Sequence, residues 1–183
     1  MSLEELAALI HHRNKLSDGI SKIISRPALT SHIGEYIASK IFNIQLDESA
    51  TSKGIDGRFK DGPLRGKTVN IKLYGKKENL LDSNKDKLAD YYLVLSGPDS
   101  AAESSRGKTR PLVICQVHLF KMGRLVPDLE RSRVKIGIAT SVRKQLWDEA
   151  IIYPHQRSSE LVVTTEQRRQ LSLFREKESN KMV

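Results

Sequence analysis

The apolar positions of this chain change their period along its length, and the change sets helical ends around a strand-rich middle. Leu3, Leu6, Ala7 and Ile10, then Leu16, Ile20, Ile23 and Ile24, recur at helical spacing. Ser2 with Glu5 forms a capping box, so a helix starts at once. Asp18-Gly19 either breaks that helix in two or lies within one long helix whose stripe drifts. A second helix is predicted from Pro27, a residue suited to a first helical turn, through the stripe Ile33, Ile37 and Ile41 to Phe42. The period then becomes two. Residues 43–47 read as a strand, Ile55, Gly57 and Phe59 alternate with Asp56, Arg58 and Lys60, and Val69, Ile71 and Leu73 alternate with Thr68, Asn70, Lys72 and Tyr74. Residues 90–96 and 111–120 are nearly continuous apolar runs, as expected of strands buried on both faces. Helical spacing returns in a short helix beginning at Pro127, in residues 141–150, and after a second capping box at Thr164 and Gln167 in a helix through Phe174. Residues 75–87 read as a loop or short helix, 97–110 as a polar loop, and 176–183 as a fraying tail.

This order predicts an α/β fold with a central mixed β-sheet flanked by helices. The length of 183 residues suits a single domain over 1–183, with a helical extension at 1–26, the core at 27–122 and a helical part at 123–183. No run approaches the roughly 18 apolar residues of a membrane span, and the first residues are acidic, unlike a signal sequence. Cys115 is the lone cysteine, which excludes an intramolecular disulfide and fits a reducing, cytoplasmic setting; its apolar neighbours suggest a buried, inert thiol. Lys and Arg number 31 against 22 Asp and Glu, a formal charge of +9, which points to a polyanionic partner and to nucleic acid first.

The candidate chemistry lies in the two alternating segments. Residues 60–66 place Gly and Pro where a hairpin loop wants them, and such a hairpin sets Asp56 beside Asn70 and Lys72 on one polar face. Glu35 lies off the apolar stripe of its helix and reaches the same place if that helix packs across the hairpin. His11 and His12 are adjacent, so on a helix they point about 100° apart and do not share a metal. Gln116 and His118 share one face of an apolar strand and need partners there, and Trp147 reads as a core anchor. Arg106, Lys108 and Arg110 in the polar loop, with Arg143 and Lys144 on a helix face, are candidates for phosphate contact; the plainer reading is solvated charge. Zinc-ligand spacings, phosphate-binding glycine loops and internal repeats do not occur.

The arrangement helix-Glu35, strand-Asp56, then 14 positions on Asn70-x-Lys72 resembles the PD-(D/E)xK nuclease superfamily, over about residues 30–96. Ile55 stands where the motif has Pro, and Asn70 where it has an acidic residue. The resemblance implies a restriction-endonuclease-like core with added N- and C-terminal helices. It also implies an Mg²⁺- or Mn²⁺-dependent endonuclease, a restriction enzyme among the options, acting on DNA with RNA left open. Carried over by position, Asp56 is the main metal ligand, Asn70 offers an amide oxygen, the Ile71 carbonyl and Glu35 complete the set, and Lys72 orients the attacking water. A homodimer would fit double-strand cleavage. Asn70 removes a metal-binding charge and keeps open a second reading, an inactive nucleic-acid-binding protein of the same fold. In a third, Asp56 and Lys72 form only a cross-strand ion pair, worth about 0.5 kcal/mol if exposed.

Overall fold

The computed structural model describes residues 2–47, 54–83, 88–99 and 111–175. Eight strands appear in it: β1 (Ile44–Leu46), β2 (Gly57–Phe59), β3 (Thr68–Tyr74), β4 (Leu80–Leu81), β5 (Tyr91–Ser96), β6 (Gln116–Lys121), β7 (Thr140–Ser141) and β8 (Ile151–Tyr153). Six form one sheet in the order β1-β2-β3-β5-β6-β8, while β4 and β7 pair as a separate ribbon. β3 and β5 run parallel, and every other neighbouring pair is antiparallel, so the sheet is mixed as expected. Five helices accompany it: α1 (Leu3–Ile24), α2 (Thr30–Ile41), α3 (Met122–Arg131), α4 (Lys144–Ala150) and α5 (Thr165–Ser172). None is long and apolar enough to cross a membrane.

Both capping boxes form, Ser2 with Glu5 and Thr164 with Gln167. α1 runs unbroken through Asp18-Gly19, and a β-carbon built on Gly19 would meet nothing within 4 Å. Other boundaries differ from the sequence expectation. α2 begins at Thr30, and Pro27 lies in the turn before it, where its carbonyl accepts from the Leu29 N–H at 2.7 Å. α3 begins at Met122, five residues before Pro127, which it carries inside. β6 starts only at Gln116, since its partner β5 ends opposite, at Ser96. The C-terminal part is not purely helical: the apolar run after α4 is β8, the far edge of the sheet.

Strand alternation sends Val69, Ile71, Leu73, Leu93, Leu95, Val117 and Leu119 to one face, where they form a core with Ile37, Ala38 and Ile41 of α2 and Leu171 of α5. The opposite face carries Tyr92, Val94 and Phe120 against Leu125 and Leu129 of α3 and Trp147 of α4. Trp147 is an anchor, edge-on to Phe120 with ring centroids 4.9 Å apart. α2 comes close to β3 at Gly34, where a built β-carbon would stand 2.6 Å from the Leu73 β-carbon. That contact fixes the height of α2 over the sheet, and with it the next residue, Glu35.

Candidate active site at the free edge of β3

In β2, Gly57 stands opposite Val69 and Arg58 opposite Thr68 of β3. At Asp56 the chain turns away, and the edge of β3 beyond Val69 is left for a side chain to fill. Asp56 is held there by three bonds. Its N–H donates to the Val69 carbonyl at 2.9 Å, its carbonyl accepts from the Asp47 N–H at 2.9 Å, and its Oδ2 accepts from the Ile71 N–H at 2.6 Å. A strand residue presents N–H and C=O to the same edge, so the Ile71 carbonyl faces the same gap.

α2 delivers Glu35 from the side. Ser25, in the left-handed region at φ 55°, ends α1 and turns the chain so that Arg26 Nη1 donates to Glu35 Oε2 at 2.5 Å. The Glu35 side chain is only 14% exposed. Glu35, Asp56, Lys72, Ser31, Tyr74 and Asp82 line a cleft of about 270 Å³. Burial, above all, pushes the Asp56 carboxyl above the usual carboxylate range; the Ile71 N–H opposes it, Glu35 adds to it, and Lys72 and Arg26 pull it back. Asp56 therefore feels one carboxylate and two cations, and the three residues expected from separate elements do converge.

Asn70 does not join them. It is 4% exposed, opposite Tyr92, and its Oδ1 has no hydrogen-bond partner among the described residues; it is absent from the cleft lining. The expected wet face of β3 is instead roofed by the second core, so an amide there meets packed side chains. Asp82 was not foreseen. Its N–H donates to the Tyr74 hydroxyl at 3.0 Å and its Oδ1 accepts from the Ala139 N–H at 2.8 Å. Burial raises the Tyr74 hydroxyl far above its ordinary range, so it stays protonated.

A metal is implied by the resemblance, and the donors can be tested against it. Among the described residues no three His, Cys, Asp or Glu side chains stand together to hold an ion. Mg²⁺ does not require three: it keeps several waters and takes one or two carboxylates with substrate phosphate. Asp56 and Glu35, with the Ile71 carbonyl, fit that sparse pattern, although Arg26 already neutralises Glu35.

The basic candidates are elsewhere. Arg143 and Lys144 are exposed at the start of α4, which packs on β6, two strands from β3. Lys144 pairs with Asp148 at 2.6 Å. Arg106, Lys108 and Arg110 lie outside the described residues. His118 is fully buried opposite Val94, with its ring 4.8 Å from that of Trp147 and neither ring nitrogen bonded among the described residues. Burial, then the nearby Lys77 charge, push its pKa down to about 3, so it is neutral. Cys115, just before β6, is half-buried rather than fully enclosed. No family model matches the chain, and no curated protein matches its sequence.

Proposed function

We propose that the chain is a metal-dependent endonuclease with a restriction-endonuclease-like core, acting on DNA. The carrying observation is that Glu35, Asp56 and Lys72, brought by α2, by the turn into β2 and by β3, meet in one cleft. The order helix-Glu, Asp at the entry to a strand, strand-x-Lys supports the finer fold assignment. Asp56 and Glu35 would hold Mg²⁺ or Mn²⁺, which when bound supplies Lewis acidity at the scissile phosphate. Asp56 is the pre-positioned member, locked by its three backbone bonds. Lys72 places an ammonium beside it, able to orient a water and to balance charge that develops on the phosphate. Tyr74, kept protonated, is a neutral donor at the cleft wall.

The test is cleavage of supercoiled plasmid under Mg²⁺ and Mn²⁺ titration, with a labelled RNA run in parallel. Asp56→Ala and Lys72→Ala should each lower the rate by about a hundredfold or more while circular dichroism stays native. Cleavage that survives Asp56→Ala would sink the assignment. A second reading, duplex binding without cutting, is favoured by two observations: Asn70 is off the cleft, and Arg26 occupies Glu35. Wild type that is inert at all metal concentrations yet shifts DNA in a salt-dependent way would establish it.

A further inference from the structure

Seven of the thirteen large apolar side chains exposed among the described residues lie on α1. They are not scattered. Leu6, Leu9, Arg13, Leu16, Ile20 and Ile23 follow one another at alternating steps of three and four, the a and d positions of a heptad, with Arg13 the one polar member. α1 meets its own domain along a different line, at half-buried Ser17 and Ser21 and buried Ile24. Its 22 residues span about 33 Å, and residues 2–16 are exposed throughout. A strict three-four seam is what another helix recognises, because each seam residue must fit between four of its partner; a lipid surface asks only for an apolar face.

We infer that this seam is a homodimer interface, in which α1 packs antiparallel against α1 of a second copy of the chain. The seam is complementary to itself in that direction. Paired about a midpoint between Asn14 and Lys15, Leu6 meets Ile23, Leu9 meets Ile20, and Arg13 meets Leu16, so every layer has an apolar member and the two arginines occupy different layers. A two-fold axis through that midpoint generates all six layers from three, as an isologous contact requires. The parallel arrangement puts Arg13 on Arg13 and aligns both helix dipoles and both acidic first turns, Glu4 and Glu5, side by side. The antiparallel one opposes the dipoles. Arg13 acts as the register device, since its guanidinium reaches solvent past Leu16 only when the helices are correctly staggered.

The experiment uses the full chain. Sedimentation equilibrium should show twice the 20.7 kDa chain mass at micromolar concentration, and Leu9→Glu with Leu16→Glu should return it to the monomer with its circular dichroism otherwise native. Direction is read by oxidation in a Cys115→Ser background. An equimolar mixture of Leu9→Cys and Ile20→Cys proteins should cross-link to each other, with each alone cross-linking at least tenfold less. Arg13→Leu should raise dimer affinity at least tenfold and blur this selectivity. A wild type that stays monomeric at all concentrations overturns the inference, as does a dimer untouched by the double Glu variant or self-linked through Leu9→Cys alone. Should the double Glu variant misfold, the cross-linking pair decides. Monomeric wild type that floats with phosphatidylcholine vesicles would assign the seam to lipid instead.

Discussion

The two faces of the sheet are built from the same three strands and treat them differently. Toward α2 and α5, β3, β5 and β6 bury Val, Ile and Leu together with Tyr91, whose hydroxyl donates to Glu160 Oε2 at 2.8 Å. Toward α3 and α4, the same strands present three rows: Asn70 beside Tyr92 and Phe120, Lys72 beside Val94 and His118, and Tyr74 beside Ser96 and Gln116. Of these, Asn70, Ser96, Gln116 and His118 have buried polar atoms without hydrogen-bond partners among the described residues. Both faces bury an apolar core, but the second also carries buried polar groups at a cost in stability, and the proposed site opens at its end.

The comparison can be broken or sharpened by substitution. The largest effect belongs to the apolar face: Leu93→Ala, fully buried in the core that Ile37 and Leu171 join, should cost about 2–5 kcal/mol in urea unfolding. A loss under 1 kcal/mol would mean that this face is not the structural one. Next comes His118. Its pKa in the fold lies near 3 against about 6.5 when unfolded, so the unfolded chain binds the proton first as pH falls. Stability is then fully present above pH 6.5 and declines below it, by about 1.4 kcal/mol per pH unit until pH approaches 3. His118→Leu should flatten that slope and add about 1–3 kcal/mol at neutral pH, because it removes two buried polar atoms that have no partner among the described residues; an unchanged slope would show that His118 is hydrated in solution.

Asp56→Asn is a smaller test at the boundary of the two faces. A carboxyl whose folded pKa is raised stabilises the fold below its unfolded pKa and loses that advantage as pH rises through the folded value. The amide keeps the bond from the Ile71 N–H without the buried charge, so the variant should gain about 1 kcal/mol at pH 7 and nothing in acid, and the proposed cleavage should fall with it. A destabilised Asp56→Asn would mean that the carboxylate is structural. Smallest of all, Lys144→Ala breaks an exposed ion pair with Asp148 and should change stability by about 0.5 kcal/mol or less.

What the sequence showed and what it hid divide along the range of the interaction. The capping boxes at Ser2 and Thr164 were legible because both partners are three residues apart, and β3 and β5 because alternation and apolar runs are local. That Glu35, Asp56 and Lys72 come together in one cleft was expected through a motif that stands in for long-range contact. Asp82 was missed because its place depends on the β4–β7 ribbon, which joins Leu80 and Leu81 to Thr140 and Ser141. Arg26 was missed because a single left-handed residue, Ser25, redirects it. Asn70 was misplaced for a different reason: alternation says which residues share a face, but not whether α3 and α4 will cover that face. β8 escaped because three apolar residues directly after a helix extend its pattern without changing it.

The close approach at Gly34 sets a dimension of the cleft from outside it. The atom that a larger residue would strike is the Leu73 β-carbon, which is fixed to the strand backbone and cannot swing aside. Even alanine would have to lift α2 off β3, and Glu35, one residue along, would rise with it while Asp56 stayed bonded to Ile71. The gap between the two carboxylates is thus gauged by a missing methyl group on the apolar side of the protein. Variation at position 34 would retune the cleft without touching any group that lines it.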